Sequence, residues 1–213
     1  LVFRDGENAG ILERNEVDHD AMVRMMVGRD VSQFYQRTEH DLGEVVLSVR
    51  GLRSVEHREN ELNFEVRAGE VVGVAGLVGA GRSEMLAALF GARPALGGDV
   101  SVAGQSGLPQ SPRESLSRGL ALVPEDRKGQ GLILDMAVKE NISLASLRRD
   151  SKGPFLNTSK EEELVAEMTS ALSVKTPGSW QLARFLSGGN QQKIVLAKWL
   201  ALKPKVLLLD EPT

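Results

Sequence analysis

Residues 76–83 have the sequence Gly-Leu-Val-Gly-Ala-Gly-Arg-Ser, and this stretch decides the fold. The continuously apolar residues 71–75 precede it, and such a run is typical of a strand that is covered on both faces. Apolar side chains follow it at helical spacing, at Met85, Leu86, Leu89 and Phe90. A strand, a glycine-rich loop and a helix in this order form a phosphate-binding topology.

The loop has P-loop spacing, with Arg82 where that pattern has a lysine. Glycines allow the backbone to curl with its N–H groups around phosphate oxygens, and the following helix adds positive partial charge. The candidate nucleotide-binding residues of the loop are Gly76, Gly79, Ala80, Gly81, Arg82 and Ser83. Ser83 is also a candidate Mg²⁺ ligand. A glycine-rich turn in a tightly packed α/β fold is the alternative interpretation.

A second candidate site follows the apolar residues 206–209, which predict a buried strand. Asp210 and Glu211 come directly after it. Asp210 is a candidate for the Mg²⁺ shell, and Glu211 is the candidate catalytic carboxylate that orients or deprotonates an attacking water. Taken alone, this pattern also fits an ordinary buried strand with an acidic exit loop.

The most specific segment is Leu-Ser-Gly-Gly-Asn-Gln-Gln-Lys at residues 186–193. Ser187 is predicted to cap a helix whose first turn contains two glycines. Glycine lowers helix propensity, so two of them in a first turn indicate a use for unobstructed N–H groups. We interpret this helix start as an anion-binding end.

Together, and in this order, the three motifs resemble the nucleotide-binding domain of ABC transporters. LSGGNQQK resembles the ABC signature, and VLLLDEPT at residues 206–213 resembles Walker B with its catalytic carboxylate. The resemblance narrows further to the second ATPase domain of double-domain monosaccharide importers of the ribose, galactose, arabinose and xylose type. The segments that carry it are GLVGAGRSE at 76–84, VPEDRKGQGL at 123–132 and MAVKENISL at 136–144.

The resemblance covers essentially the whole chain and implies its fold and domains. The expected fold class is α/β, with a P-loop NTPase (RecA-like) core, an antiparallel β subdomain and an α-helical signature subdomain, truncated at the C-terminus. Residues 1–28 resemble the end of a preceding ATP-binding domain, with a hairpin turn at Asp5-Gly6 and a helix carrying Met22, Met25 and Met26. Residues 29–44 are interpreted as a linker and 45–213 as an incomplete ABC-type domain, which makes the chain a fragment.

The family also implies an assembly and a reaction. ABC domains work as head-to-tail pairs that enclose two ATP molecules, so the cofactors would be ATP and Mg²⁺. The partner-site residues would be Ser187, Gly188, Gly189 and Gln191, acting on ATP held by a second ATP-binding domain of the same full-length chain. The other partners would be integral-membrane permease subunits and, through them, a periplasmic or extracellular sugar-binding protein. The domain would be an ATPase lying peripherally on the cytoplasmic face of the inner membrane.

Three departures from the family pattern concern the chain's own ATP site. Arg82 keeps the positive charge of the usual lysine, but its planar guanidinium lacks the reach of an ammonium between two phosphates. Glu125 stands where the family has a glutamine, and its charge disfavours triphosphate binding unless Mg²⁺ offsets it. No tyrosine stands close before the loop to stack on adenine; His57 and Val55 lie in that region. A degenerate, mainly non-hydrolytic clamp is therefore an alternative, although Glu211 favours hydrolysis.

Composition limits the remaining classes of function. The chain has 213 residues, a formal net charge of −3 and no cysteine, which excludes disulfide scaffolds, cysteine-ligated zinc and thiol catalysis. With a pI of about 5.7, we expect no nucleic-acid partner. A soluble ABC-type ATPase acting on ribosomes or DNA stays open as an alternative, because the ATP motifs are shared. The identity of the sugar is not encoded in these motifs.

Periodicity and capping patterns predict the other elements. Residues 45–49 and 62–66 are predicted strands, the second one half-exposed, and Val100 and Val102 indicate an edge strand. A short helix is expected between Ser111 and Gly119, followed by a buried strand at 120–123. Thr158 and Ser159 suggest capping boxes with Glu161 and Glu162. Arg127 and Lys128 would contact a membrane subunit or be solvated.

Overall fold

The computed structural model describes residues 1–4, 6–14, 17–18, 21–22, 25–26, 41–151, 153 and 155–212. Backbone contacts divide the chain into two units, Leu1–Asp41 and Leu42–Thr213. In the first unit, β1 (Val2–Arg4) and β2 (Glu7–Gly10) pair antiparallel, which confirms the predicted hairpin. Residues 21–22 and 25–26 are helical, as expected, whereas residues 27–40, with most of the predicted linker, lie outside the described residues.

The second unit begins with an antiparallel sheet, which confirms the predicted β subdomain. Its strands are β3 (Val45–Ser54), β4 (Leu62–Arg67), β5 (Ala95–Val102) and β6 (Gln105–Ser106), in the order β4-β3-β5-β6. Val49 pairs with Phe64 on one side and with Val100 on the other. The strand predicted at Val100 and Val102 is confirmed as part of β5, but its predicted edge position was wrong, because β6 pairs with the end of β5 and both valines are fully buried.

Two helices and a parallel pair of strands pack against this sheet. The helices are α1 (Arg82–Leu89) and α2 (Pro112–Arg118), and the strands are β7 (Leu120–Val123) and β8 (Val206–Leu209). Helix α2 begins as predicted: the Ser111 hydroxyl accepts from the Glu114 amide, and Gly119 ends the helix in a left-handed conformation. The shared core contains Leu47, Leu52, Leu89, Val100 and Leu120. Burial of these side chains holds β7 and β8, and therefore the residues after them, in place.

The predicted buried strand at residues 71–75 was wrong. The structure leaves this segment outside any strand, with Val71 96% exposed and Val74 50% exposed. The physical reason is pairing: a strand requires backbone hydrogen bonds to a neighbour, and residues 71–75 belong to none of the sheets among the described residues. A cavity of about 740 Å³, lined by this segment, β8 and α1, separates the segment from β8.

The remaining elements form the expected helical region. They are α3 (Val138–Ser143), α4 (Leu147–Asp150), α5 (Thr158–Ala171), α6 (Gly188–Leu200), a π-helix at Arg127–Gly131 and a 3₁₀-helix at Ala183–Phe185. Their core contains Val138, Ile142, Val165, Ile194 and Val195. None of the helices among the described residues is long and apolar enough to span a membrane.

The start of α5 corrects the predicted capping boxes. The Asn157 side chain, not Thr158 or Ser159, accepts the hydrogen bond of the Lys160 amide. The Glu161 carboxylate, which was expected to complete a box, instead accepts from the Ser143 hydroxyl at 2.6 Å. A tertiary hydrogen bond between α3 and α5 thus competes with the local one.

Candidate functional site

The glycine-rich loop is exposed and owes its course to two glycines. Gly79 and Gly81 have φ angles of 80° and 85°, a region that side chains other than glycine adopt at a cost. Gly81 lies directly before α1, and its carbonyl accepts the amide of Met85 at 2.9 Å. The loop therefore leads into the positive end of a helix, as its sequence predicts.

Position 81 also needs a glycine because of its neighbour His57, to which the sequence assigned no role. A Cβ added at Gly81 would collide with the imidazole of His57, whereas one added at Gly79 would meet open space. The His57 amide is in turn fixed by the Ser54 hydroxyl at 3.1 Å. The imidazole thus packs directly on the end of the loop.

Ser83 and Asp210 meet as the sequence predicts. The Ser83 hydroxyl donates to Oδ1 of Asp210 at 3.0 Å, across 127 residues of chain. Asp210 is only 9% exposed, and its amide donates to the Val123 carbonyl at 3.0 Å, which extends the β7–β8 ladder by one residue. A serine hydroxyl beside a carboxylate provides two of the oxygen ligands that Mg²⁺ prefers.

These two oxygens fit Mg²⁺ only with help from a nucleotide. The part of the chain that the structure describes contains no cluster of three or more His, Asp or Glu side chains that could hold a metal by itself. Mg²⁺ is commonly bound by one or two protein ligands together with phosphate oxygens and waters. Ser83 and Asp210 are therefore residues that could hold Mg²⁺ together with a bound nucleotide.

Arg82 bridges the loop to the residue after Asp210. Its Nη1 donates to the Gly76 carbonyl at 2.6 Å, and its Nη2 donates to Oε1 of Glu211 at 2.7 Å. The Arg82 and Glu211 side chains are 29% and 49% exposed. The group expected to bind phosphate and the carboxylate expected to act on water therefore neutralise each other in this state.

Glu125 lies at the same edge of the parallel pair. It follows β7 by two residues, as Glu211 follows β8, and parallel strands bring their carboxyl ends together. Its backbone carbonyl accepts the Arg127 amide at 3.0 Å, and its side chain is exposed. Glu125 is thus an exposed carboxylate beyond the strand ends, and its role toward a nucleotide stays a prediction.

The start of α6 is the second candidate anion-binding end. Ser187 occupies the predicted cap position, but its hydroxyl makes no capping hydrogen bond and instead accepts from the Asn190 side chain at 3.0 Å. The first turn contains no acidic residue. Gly189 is exposed with open space around it, so its backbone can approach a large ligand.

Gln191 points into the fold rather than outward. It is 4% exposed, and its Nε2 donates to the Ala183 carbonyl at 3.1 Å. Its Oε1 accepts from Nε of Arg127 at 3.4 Å. Arg127 itself packs on Gly188, a contact that sequence reasoning missed, since the only signal was a glycine where a large side chain needs room.

The sequence of this chain matches a known protein family. A family model described as "ABC transporter" matches residues 59–213. The chain belongs to the ABC transporter family. The glycine loop, Asp210 and the start of α6 all lie within the matched residues.

Several ABC relatives cover the whole chain. "Ribose import ATP-binding protein RbsA 2" of Rubrobacter xylanophilus is 48% identical over 215 residues, with 100% of this chain and 41% of the relative covered. "Xylose import ATP-binding protein XylG" of Photobacterium profundum is 43% identical over 219 residues, with 100% and 43% covered. The chain thus spans about two fifths of the length of the curated relatives it matches.

Solved structures agree with the ABC fold. CbiO1 of Clostridium perfringens, described as part of the ABC transporter complex cbiONQ, matches with a TM-score of 0.64 and 20% identity, covering 80% of this chain and 66% of that one. The ATP-binding cassette MJ1267 matches with a TM-score of 0.66 and 19% identity, covering 79% and 70%. At this level of identity, the likeness establishes the fold.

Proposed function

We propose that this chain is an ATP-binding and ATP-hydrolysing domain of an importer for a simple sugar. The observation that carries the proposal is the Ser83–Asp210 contact at 3.0 Å beside an exposed glycine loop, which is the donor set of a metal–nucleotide site. The sugar class is supported by relatives whose names are ribose and xylose import ATP-binding proteins.

The residues divide the work by chemistry. Backbone amides of the loop from Gly76 to Gly81, with the Arg82 guanidinium, bind phosphate oxygens. Ser83 and Asp210 would hold Mg²⁺, which neutralises charge on the phosphates. Glu211 accepts a hydrogen bond from the attacking water and orients it, once its own pairing with Arg82 is released.

The start of α6 serves a second site. Ser187, Gly188 and Gly189 present the open first turn of a helix to the γ-phosphate of ATP bound by another ATP-binding domain of the full-length protein. One relative is long enough to contain such a second domain, since this chain covers only 41% of its length. Permease subunits, and a sugar-binding protein acting through them, complete the transporter, with this domain peripheral on the cytoplasmic side.

A mainly non-hydrolytic clamp is the second candidate. The Arg82–Glu211 ion pair and the exposed carboxylate of Glu125 favour it, because both oppose productive binding of a triphosphate at this chain's own site. A soluble ABC-type ATPase acting on ribosomes or DNA gains no support, given the net charge of −3 and the import functions named for the relatives.

Calorimetry with Mg²⁺ and ATP on the intact protein tests nucleotide binding. Ser83→Ala and Asp210→Asn should each weaken Mg²⁺-dependent ATP binding at this site by about tenfold or more, since each removes a charge-linked contact. The matched control is Ser117→Ala, whose hydroxyl only donates to the Glu114 carbonyl of its own helix. Unchanged binding in both site variants refutes the proposal.

Measurements of the ATPase rate distinguish a hydrolytic site in this chain from a non-hydrolytic clamp. Glu211→Gln is compared with the equivalent carboxamide change in the other ATP-binding domain of the full-length protein. The clamp predicts that Glu211→Gln alone leaves most of the ATPase activity, whereas the change in the other domain abolishes it. A large loss from Glu211→Gln alone establishes hydrolysis at this site.

A further inference from the structure

Arg127 lies against the first residue of α6. A Cβ added at Gly188 would come within 2.9 Å of Nη2 of Arg127, so the guanidinium occupies the space that the glycine leaves open. Its Nε donates to Oε1 of Gln191 at 3.4 Å. The cationic group is thus seated at the end of the helix that bears the signature motif.

Both sides of this contact are fixed by other interactions. The Gln191 amide is oriented by its Nε2, which donates to the Ala183 carbonyl at 3.1 Å inside the core. The Arg127 backbone belongs to the π-helix, whose start is capped by Asp126: Oδ1 accepts from the Lys128 amide at 3.1 Å and the Gly129 amide at 3.0 Å. The position of the Arg127 guanidinium is therefore restricted before any ligand binds.

Arg127 has no ion-pair partner within the described residues. The first turn of α6 has no acidic residue, and Oδ1 of the neighbouring Asp126 accepts from two backbone amides. A cation at the positive end of a helix is electrostatically unfavourable, and an anion that contacts both groups removes that cost. The guanidinium also has Nη donors beyond the one Nε bond, in a fork that suits phosphate oxygens.

We propose that Arg127 is a binding residue for the γ-phosphate of the nucleotide held by the facing ATP-binding domain. This inference rests on the proposed function, which brings that phosphate to the start of α6. Arg127 would contact a non-bridging oxygen while the Gly188 and Gly189 amides contact others. ADP lacks this phosphoryl group, so Arg127 sets the preference for triphosphate over diphosphate at the facing site.

The test compares two nucleotides on the intact protein that carries both domains. A Ser83→Ala background weakens this chain's own site, so that binding reports the facing site. The probes are adenylyl imidodiphosphate, which retains a γ-phosphoryl group and resists hydrolysis, and ADP, each with Mg²⁺. Arg127→Ala should weaken binding of the triphosphate analogue by about tenfold or more and change ADP binding by less than about twofold.

Two further variants sharpen the result. Arg127→Lys should recover part of the triphosphate preference, because an ammonium keeps the charge but loses the fork. Lys128→Ala is the matched control, since it removes the same charge from a neighbouring, exposed side chain and should leave both affinities unchanged. Recovery of triphosphate binding with no change in ADP binding is a response that restored packing alone does not produce.

The remaining outcomes overturn the inference. Equal weakening of both nucleotides would make Arg127 a packing residue of α6, and no weakening of either, with loss of permease association, would make it a membrane-subunit contact. If the protein with an unaltered Arg127 binds neither nucleotide, the proposed function fails as well. If that protein prefers the triphosphate and Arg127→Ala keeps the preference, only this inference fails.

Discussion

Nη2 of Arg82 lies 2.7 Å from Oε1 of Glu211, which joins the glycine loop to the end of β8 by an ion pair. The same guanidinium donates to the Gly76 carbonyl at 2.6 Å and thereby folds back over its own loop. A nucleotide phosphate and Glu211 compete for one cation. Binding of nucleotide and release of the carboxylate are therefore linked in this site.

That competition predicts that Glu211→Gln strengthens Mg²⁺–ATP binding. A half-exposed ion pair contributes about 0.2–1 kcal/mol, so the affinity should rise by about 1.4- to 5-fold when Arg82 no longer has a carboxylate partner. Calorimetry measures this directly. Asp150→Asn is the control, because it removes an ion pair of the same 2.7 Å length, to Arg149, in the helical region. Equal or weaker binding by Glu211→Gln contradicts the competition.

The contact between His57 and Gly81 predicts unequal effects of two loop substitutions. Gly79→Ala and Gly81→Ala both force a side chain into a left-handed conformation, at a cost of about 1–2 kcal/mol each. Gly81→Ala also displaces His57 and should lower the melting temperature and ATP affinity further. Adding His57→Ala should recover part of the loss in Gly81→Ala and none in Gly79→Ala. A similar recovery in both would show that the imidazole does not constrain the loop.

Lys198 predicts a pH dependence of stability. It is 7% exposed in α6, its ammonium donates to the Gly131 carbonyl, and burial lowers its pKa from the ordinary value of 10.5. Between the lowered pKa and 10.5, the unfolded chain holds a proton that the folded chain has lost. The free energy of unfolding should therefore rise with pH in that window, and its contribution is lost as pH falls through the folded pKa.

Denaturant unfolding at several alkaline pH values measures this slope. Fluorescence of Trp199 reports it in a Trp180→Phe background, since the Lys198 ammonium lies 4.9 Å from the Trp199 ring centroid. Lys198→Met should remove the rise, and the exposed Lys205→Met should retain it. An identical slope in the two variants would assign the effect to other groups.

The 213 residues alone should hydrolyse ATP poorly. Under the proposed function, the γ-phosphate needs a signature end from a facing domain, and Arg82 holds Glu211 in an ion pair until that phosphate arrives. We expect Mg²⁺-dependent phosphate release close to that of an Asp210→Asn control. Robust turnover by this chain, sensitive to Asp210→Asn, would show that it needs no partner.

The local motifs of the sequence allowed a more accurate prediction of the site residues than of the strands around them. The spacing of the loop and the residues after β8 placed Ser83 and Asp210 together correctly, because both follow elements with strong local signals. The antiparallel sheet was predictable for the same reason, since alternation at Leu62, Phe64 and Val66 survives in the structure. Such patterns depend on a few neighbouring residues and one buried face.

What the sequence could not predict depends on distant partners. The apolar residues 71–75 were expected in a buried strand, but apolarity does not specify which strand lies alongside. Asn157 replaced the predicted serine and threonine caps because Glu161 bonds to Ser143 on another helix. Arg127 contacts Gly188, a residue 61 positions away in the sequence, and no periodic pattern of residues indicates this contact.

The unpaired segment at residues 71–75 has a practical consequence for anyone producing this polypeptide. Its valines are exposed beside a wide cavity, and its main chain belongs to none of the sheets that the structure describes. At high concentration, copies of the chain should adhere through this region and precipitate. Expression with a solubilising carrier would counteract that tendency.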